Sequence, residues 1–91
     1  MEQQIIECSG VLDITAVAQW SERAQAALQT GTPICLKADE LERIDTAGLQ
    51  ALLGLFMAAD KQSIPVQWES PSTALQQAAR LTGLNHYLRL V

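Results

Sequence analysis

Leu41-Glu42-Arg43-Ile44-Asp45-Thr46-Ala47-Gly48-Leu49 is the stretch that decides how this sequence is interpreted. A short apolar strand pattern precedes it at residues 34–38, and the longest amphipathic pattern of the chain follows it at residues 49–59. The stretch is therefore predicted to be a strand-to-helix junction, with Asp45 or Thr46 as the N-cap of the helix.

Thr46 has two interpretations at this junction. In the first, it is a helix cap and nothing more. In the second, it is a phosphoacceptor, because the first N–H groups of a helix lack partners and the helix dipole favours added negative charge. Ala47 and Gly48 are small and leave the hydroxyl accessible to another protein. The negative charge of a phosphate beside Asp45 and Glu42 could reverse the sign of the interaction with a partner that binds the neutral hydroxyl.

The composition predicts one domain spanning residues 1–91, with 48% hydrophobic residues to fill its core. The net charge of −4, with only 6 Lys and Arg residues, disfavours nucleic acid as a partner. No apolar run is long enough to cross a membrane, and no basic segment precedes an apolar one at the N-terminus. We therefore expect a cytoplasmic protein, with Cys8 and Cys35 reduced and buried in strands.

Strand and helix patterns alternate along the chain, which predicts an α/β fold: a small mixed or parallel sheet flanked by three or four helices. Three strands are expected at residues 5–9, 34–38 and 64–69, the first one broken by Gly10. Asp13 and Ser70 are expected to cap the first and third helices. Residues 84–91 are expected to form a last short helix or strand.

Few other residues indicate chemistry. Asp13 and Asp45 are predicted helix caps that would lie near Thr46 if their strands end at the same sheet edge. Two carboxylates without a third catalytic group are weak support for an enzyme. His86, the only histidine, has no nucleophile near it in sequence, and no phosphate-binding loop, nucleophile elbow or zinc-ligand spacing occurs. We predict no enzyme activity, no cofactor and no metal.

The sequence resembles the STAS domain family, which includes the bacterial anti-sigma factor antagonists. Residues 44–49, followed by two leucines, resemble the family's Asp-Ser/Thr-x-Gly-Leu signature. Residues 10–13 resemble its Gly-x-Leu-Asp motif, and residues 81–84 its Leu-x-Gly-Leu motif. The three matches keep about the family's order and spacing and cover nearly the whole chain.

The resemblance implies a small sheet flanked by helices and a non-enzymatic regulatory module. In the antagonists, a partner kinase phosphorylates the hydroxyl residue directly after the motif Asp, and the antagonist is then released. That residue is Thr46 here. The predicted partner-binding surface consists of Asp13, Lys37, Asp45, Thr46, Ala47 and Gly48.

The sequence departs from the family pattern at two places. Lys37 stands where the family often has an acidic residue, and it could pair with Asp45 or with a phosphate on Thr46. The family's first strand is expected to be missing or much reduced, because the chain begins so close to Gly10. The sheet edge thereby left free could allow pairing.

The resemblance leaves two functions open. The first is a partner-switching module that binds a kinase or another signalling protein, in a sigma-factor or chemotaxis-type pathway, through the helix end at Thr46. The second is the small cytoplasmic STAS subunit that stabilises the ATPase of a bacterial phospholipid-transport ABC complex. Residues 68–84 resemble the stand-alone antagonists more closely, which favours the first function.

Overall fold

The computed structural model describes residues 3–90 as five strands and three α-helices. In chain order the elements are β1 (Gln4–Glu7), β2 (Gly10–Leu12), α1 (Val17–Thr30), β3 (Ile34–Lys37), β4 (Leu41–Ile44), α2 (Thr46–Lys61), β5 (Val66–Glu69) and α3 (Thr73–Leu81). The predicted α/β fold class is confirmed.

The described strands form two parallel sheets. One has the order β1-β3-β5, and the other pairs β2 with β4. The predicted break at Gly10 separates the sheets: this residue has a φ of 67°, and the pairing register shifts between Gly10 and Val11. A left-handed φ of this kind suits glycine, which has no Cβ to clash with the backbone.

The three-stranded sheet has one buried face and one open face. Ile34 and Leu36 of its central strand are almost completely buried, as their predicted alternation requires. The register places Ile6 beside Leu36 on the buried face, and Ile5 beside Cys35 on the other face. Cys35 is thus buried by its neighbours in the sheet, and it does not belong to the main core cluster.

Helix α1 packs one face against the core, where Trp20, Ala24, Ala27 and Leu28 are buried. Its predicted start at Asp13 is wrong. The N-cap is Ala16, and no side chain bonds to the first free N–H groups of the helix. Asp13 instead closes a turn before the helix, because its carbonyl oxygen accepts bonds from the amides of Ala16 and Val17.

Strand β4 is not among the three strands predicted from the sequence. Leu41 is buried while Glu42 and Arg43 are both exposed, so this short strand lacks the alternation by which strands are recognised. The segment is a strand because it pairs in parallel with β2, a long-range contact that its own sequence does not indicate.

Helix α2 begins and ends close to its predicted bounds. The amphipathic pattern predicted at residues 49–59 is used in packing: Leu49, Leu52, Leu55, Phe56 and Ala59 are buried, and Leu53 is half-buried. Gly54, inside the same helix, is not at a close contact, since a Cβ built there meets no atom within 4 Å.

The C-terminal part of the described chain departs most from prediction. The N-cap of α3 is Ser72, whose hydroxyl accepts from the amide of Leu75 at 3.2 Å, while Ser70 lies before the helix at a φ of 51°. Residues 85–89 form turns, so the expected short helix or strand is absent within residues 84–90; Val91 lies outside the described residues. Leu88 nevertheless fills the core, and its carbonyl oxygen accepts from Trp68 Nε1 at 2.7 Å.

Candidate functional site

The junction between β4 and α2 is capped by Asp45. This residue has an extended backbone, and its Oδ1 accepts a hydrogen bond from the amide of Gly48 at 3.0 Å. The Asp45 carbonyl oxygen accepts from the amide of Leu49 at 3.0 Å, the first bond of the helical ladder. Of the two predicted caps, Asp45 is therefore the one used, and Thr46 is the first residue of α2.

Gly48 allows the first turn of α2 to pack directly against the last residues of β2 and β4, Leu12 and Ile44. A Cβ built at Gly48 would overlap the carbonyl oxygen of Leu12 and lie 2.7 Å from Cγ1 of Ile44. The same Leu12 oxygen accepts a hydrogen bond from the amide of Asp45 at 3.3 Å. The close approach of α2 to β2 and β4 thus needs a residue without a side chain at position 48.

Thr46 is exposed, and its hydroxyl makes no hydrogen bond to any of the described residues. Ala47 beside it is half-buried and carries no group that could compete for a partner. The hydroxyl therefore stands in solvent at the positive end of a 16-residue helix. A group at this position can accept a phosphoryl group or contact another protein without any rearrangement of the fold.

Asp13 lies at the same end of the two-stranded sheet as Asp45. The two residues directly follow Leu12 and Ile44, which are register partners in the parallel pair of β2 and β4. The Asp13 carboxylate is held by its own turn, where Oδ1 accepts from the amide of Thr15 at 3.0 Å and from its hydroxyl at 2.5 Å. The Thr15 hydroxyl bond is the main reason that the pKa of Asp13 is lowered from its usual value.

Lys37 is placed differently from expectation. It ends β3 in the other sheet, where its register neighbours are Glu7 and Glu69. Of its two possible partners, Asp45 is not bound: the ion pair found among residues 3–90 joins Arg89 to Asp60 at 2.7 Å. Two acidic residues on the adjacent strands therefore lie beside Lys37 in register, without an ion pair to it among the described residues.

The remaining reactive groups lie apart from the junction. Cys8 and Cys35 are free and buried, and burial raises the pKa of each thiol. At Cys8 the nearby Trp20 indole N–H opposes this rise, although that N–H has no hydrogen-bond partner of good geometry among the described residues. His86 is exposed in the C-terminal turns, against the edge of Tyr87.

Sequence reasoning missed the role of the Leu12 backbone oxygen in this site. The contact follows from the pairing of β2 with β4, which no local pattern announces. The available signal was the combination of Gly48 with a small neighbour at the start of a helix, which indicates a close backbone approach.

The described residues, 3–90, contain neither a membrane-spanning helix nor a cluster of metal-binding side chains. None of their helices combines the length and apolar character needed to cross a membrane. Their His, Cys, Asp and Glu side chains form no group of three or more that could hold a metal ion.

Comparison with known proteins shows the family of the chain and solved structures that are similar to it. The family described as "Mlab, STAS domain" matches residues 1–91. The structure is similar to that of the anti-sigma factor antagonist SpoIIAA in its unphosphorylated form, with a TM-score of 0.75, 21% identity, and coverage of 96% of this chain and 78% of the other. It is also similar to the Bacillus cell fate determinant SpoIIAA in its phosphorylated form, with a TM-score of 0.72, 22% identity, and coverage of 96% and 81%. No curated protein sequence matches the chain.

Proposed function

The chain belongs to the STAS domain family, and from this premise we propose that it is a non-enzymatic regulatory module that switches protein partners through Thr46. A kinase or another signalling protein of the cytoplasm binds the start of α2, and a phosphate on Thr46 changes that contact. The pathway is of the sigma-factor or chemotaxis type. The observation that carries the proposal is the free, exposed hydroxyl of Thr46 at the first position of α2.

The surroundings of Thr46 support a switch based on charge. A phosphothreonine carries about −1.5 to −2 charges at neutral pH. Asp45 is already at the junction, and Asp39, Glu40 and Glu42 are exposed in the segment that leads to it. The modified surface would therefore repel a partner that tolerates the neutral hydroxyl, while the positive helix end stabilises the phosphate itself.

Its relatives support the same proposal. The two similar structures are of SpoIIAA in an unphosphorylated and a phosphorylated form, and SpoIIAA is an anti-sigma factor antagonist. We infer the corresponding chemistry here for Thr46, since it follows the capping Asp45 directly and has no neighbouring hydroxyl at position 47.

The test uses the tagged full chain recovered from its own cells, with intact-mass analysis and identification of the proteins that accompany it. We expect a mass increment of one phosphoryl group that Thr46→Ala abolishes, and loss of the partner with Thr46→Glu. Thr73→Ala is the matched control, because Thr73 is also exposed at the first position of a helix, after a capping Ser72. The proposal fails if no increment maps to Thr46 and Thr46→Glu keeps every partner of the wild type.

A second candidate function is the small STAS subunit that stabilises the ATPase of a phospholipid-transport ABC complex. The close packing of α2 at Gly48 supports it, because a constitutive interface needs a helix end that is held in one position. The accompanying proteins separate the two functions. An ATPase with a permease supports the ABC subunit, whereas a histidine-kinase-like ATPase or a chemotaxis protein supports the switching module.

A further inference from the structure

Strand β1 forms one edge of the three-stranded sheet, and no described strand lies beyond it. The amides of Gln4 and Cys8 donate to carbonyl oxygens on the β3 side, each at 2.8 Å. Since successive peptide groups of a strand point in opposite directions, the N–H and C=O groups of Ile5 and Glu7 point away from β3. These groups are available to another strand.

The sequence of this edge lacks the usual protections against pairing. Gln4–Glu7 reads QIIE, without the Pro or Lys residues that often block an edge strand. Ile5 is 60% exposed. Among the described residues, a long hydrogen bond of 3.5 Å joins Arg23 Nη2 to the carbonyl oxygen of Glu7 on the outer side, and that oxygen has a second lone pair for another donor.

We propose that β1 pairs antiparallel with β1 of a second copy of this chain, which joins two three-stranded sheets into one continuous sheet. The register that fits places Ile6 opposite Ile6 of the partner copy. Ile5 of each copy then faces Glu7 of the other, and the outward N–H and C=O groups of both residues form reciprocal hydrogen bonds. A two-fold axis through the Ile6 pair generates this arrangement.

The charges at the edge favour a second copy as the occupant. Glu7 is the charged residue of β1, and this register places it opposite an isoleucine and not opposite another glutamate. A cavity of about 330 Å³ adjoins the edge between β1 and α1, and Arg23 lines it together with Glu7. Each copy thus contributes one positive and one negative side chain, so the joined edges carry balanced charge.

The proposed pairing is independent of Thr46. The hydroxyl follows β4 in the two-stranded sheet, whereas β1 is the outer strand of the other sheet. A four-residue strand edge buries less than the roughly 800 Å² per partner of a standard stable interface. The dimer is therefore expected to dissociate with a Kd between about 10 µM and about 1 mM.

The test measures the mass of the purified full chain by analytical ultracentrifugation from about 10 µM to about 1 mM. The wild type is expected to move from monomer to dimer in this range. Ile5→Pro is expected to remain monomeric, because it removes an outward N–H that β3 does not use and suits an edge strand. Ile14→Ser is the control and should dimerise normally, since Ile14 is an exposed isoleucine outside β1.

Amide hydrogen exchange locates the contact. The amides of Ile5 and Glu7 should exchange about two- to sevenfold more slowly at about 1 mM than at about 10 µM, as the monomer fraction falls, while those of Gln4 and Cys8 should be protected at both concentrations. Circular dichroism of Ile5→Pro verifies that it folds. The proposal is overturned if the wild type stays monomeric at about 1 mM, or if a dimer forms that leaves the Ile5 and Glu7 amides unprotected.

Discussion

Two glycines of helix α2 should respond in opposite ways to the same substitution. Gly48→Ala places a methyl group onto the carbonyl oxygen of Leu12 and 2.7 Å from Cγ1 of Ile44. The Leu12 oxygen cannot retreat freely, because it belongs to β2 and accepts the amide of Asp45 at 3.3 Å. Gly54→Ala places the same methyl group into open space on the exposed side of the helix.

The expected size of each effect follows from these surroundings. Replacing Gly with Ala inside a helix gains about 1 kcal/mol of helix propensity, which Gly54→Ala should realise in full. At Gly48 the same gain is opposed by overpacking, which typically costs about 1–3 kcal/mol and reaches further when backbone atoms must move. We expect Gly48→Ala to lower the free energy of unfolding by about 2 kcal/mol after this offset.

Urea denaturation and thermal denaturation, both monitored by circular dichroism, measure the stability of each variant relative to the wild type. The two midpoints should lie on opposite sides of the wild-type value, and their melting temperatures should differ by about 12 °C or more, given ~4–8 °C per kcal/mol for a domain of this size. If Gly48→Ala is as stable as Gly54→Ala, then α2 does not approach Leu12 as described, and the account of the junction is wrong.

Three further predictions concern the cap, the C-terminal turns and the thiols. Asp45→Ala should lower the free energy of unfolding by about 0.5–2 kcal/mol in urea titrations, while Asp45→Asn, which keeps an acceptor for the Gly48 amide, should stay near wild type. Arg89→Met removes two hydrogen bonds to Asp60 and the contact over the Phe56 ring. It should lower the free energy of unfolding by no more than about 1 kcal/mol, because both charged groups are exposed, and high salt should reduce the difference from wild type. Burial raises the pKa of Cys8 and Cys35, so the unfolded chain loses its thiol protons at lower pH than the folded chain. The free energy of unfolding should therefore fall as the pH rises above about 8.5. Replacing both cysteines with Ala should make that fall smaller in denaturation curves measured at a series of pH values.

The parts of the fold that the sequence predicts are those with a local cause. Helix α2 combines a capping Asp45 with a long apolar face, and Gly31 ends α1 in the left-handed conformation with a φ of 74°. Each of these features affects only residues that are a few positions away in the sequence. Ile34 and Leu36 likewise alternate with their neighbours because a single sheet face is packed against the main core.

The parts that sequence reasoning missed depend on distant partners. Strand β4 exists because β2 pairs with it, and its exposed Glu42 and Arg43 hide that role. Leu88 is buried in a segment of turns, and its carbonyl oxygen accepts a hydrogen bond from Trp68, twenty residues away. At the site, the sequence indicates an exposed Thr46, but it cannot show that Lys37 is flanked by two glutamates from other strands.

The structure of the junction also determines how a phosphate on Thr46 would act. Position 48 is held by backbone packing against Leu12, and the amide of Gly48 is already bonded to Asp45. The hydroxyl of Thr46 takes no part in either interaction among the described residues. Phosphorylation would therefore change the charge of the surface and leave the fold as it is, because no existing bond has to break. The effect of such a switch depends on how the partner responds to the changed surface charge. Thr46→Glu is therefore expected to weaken binding without lowering the stability of the domain.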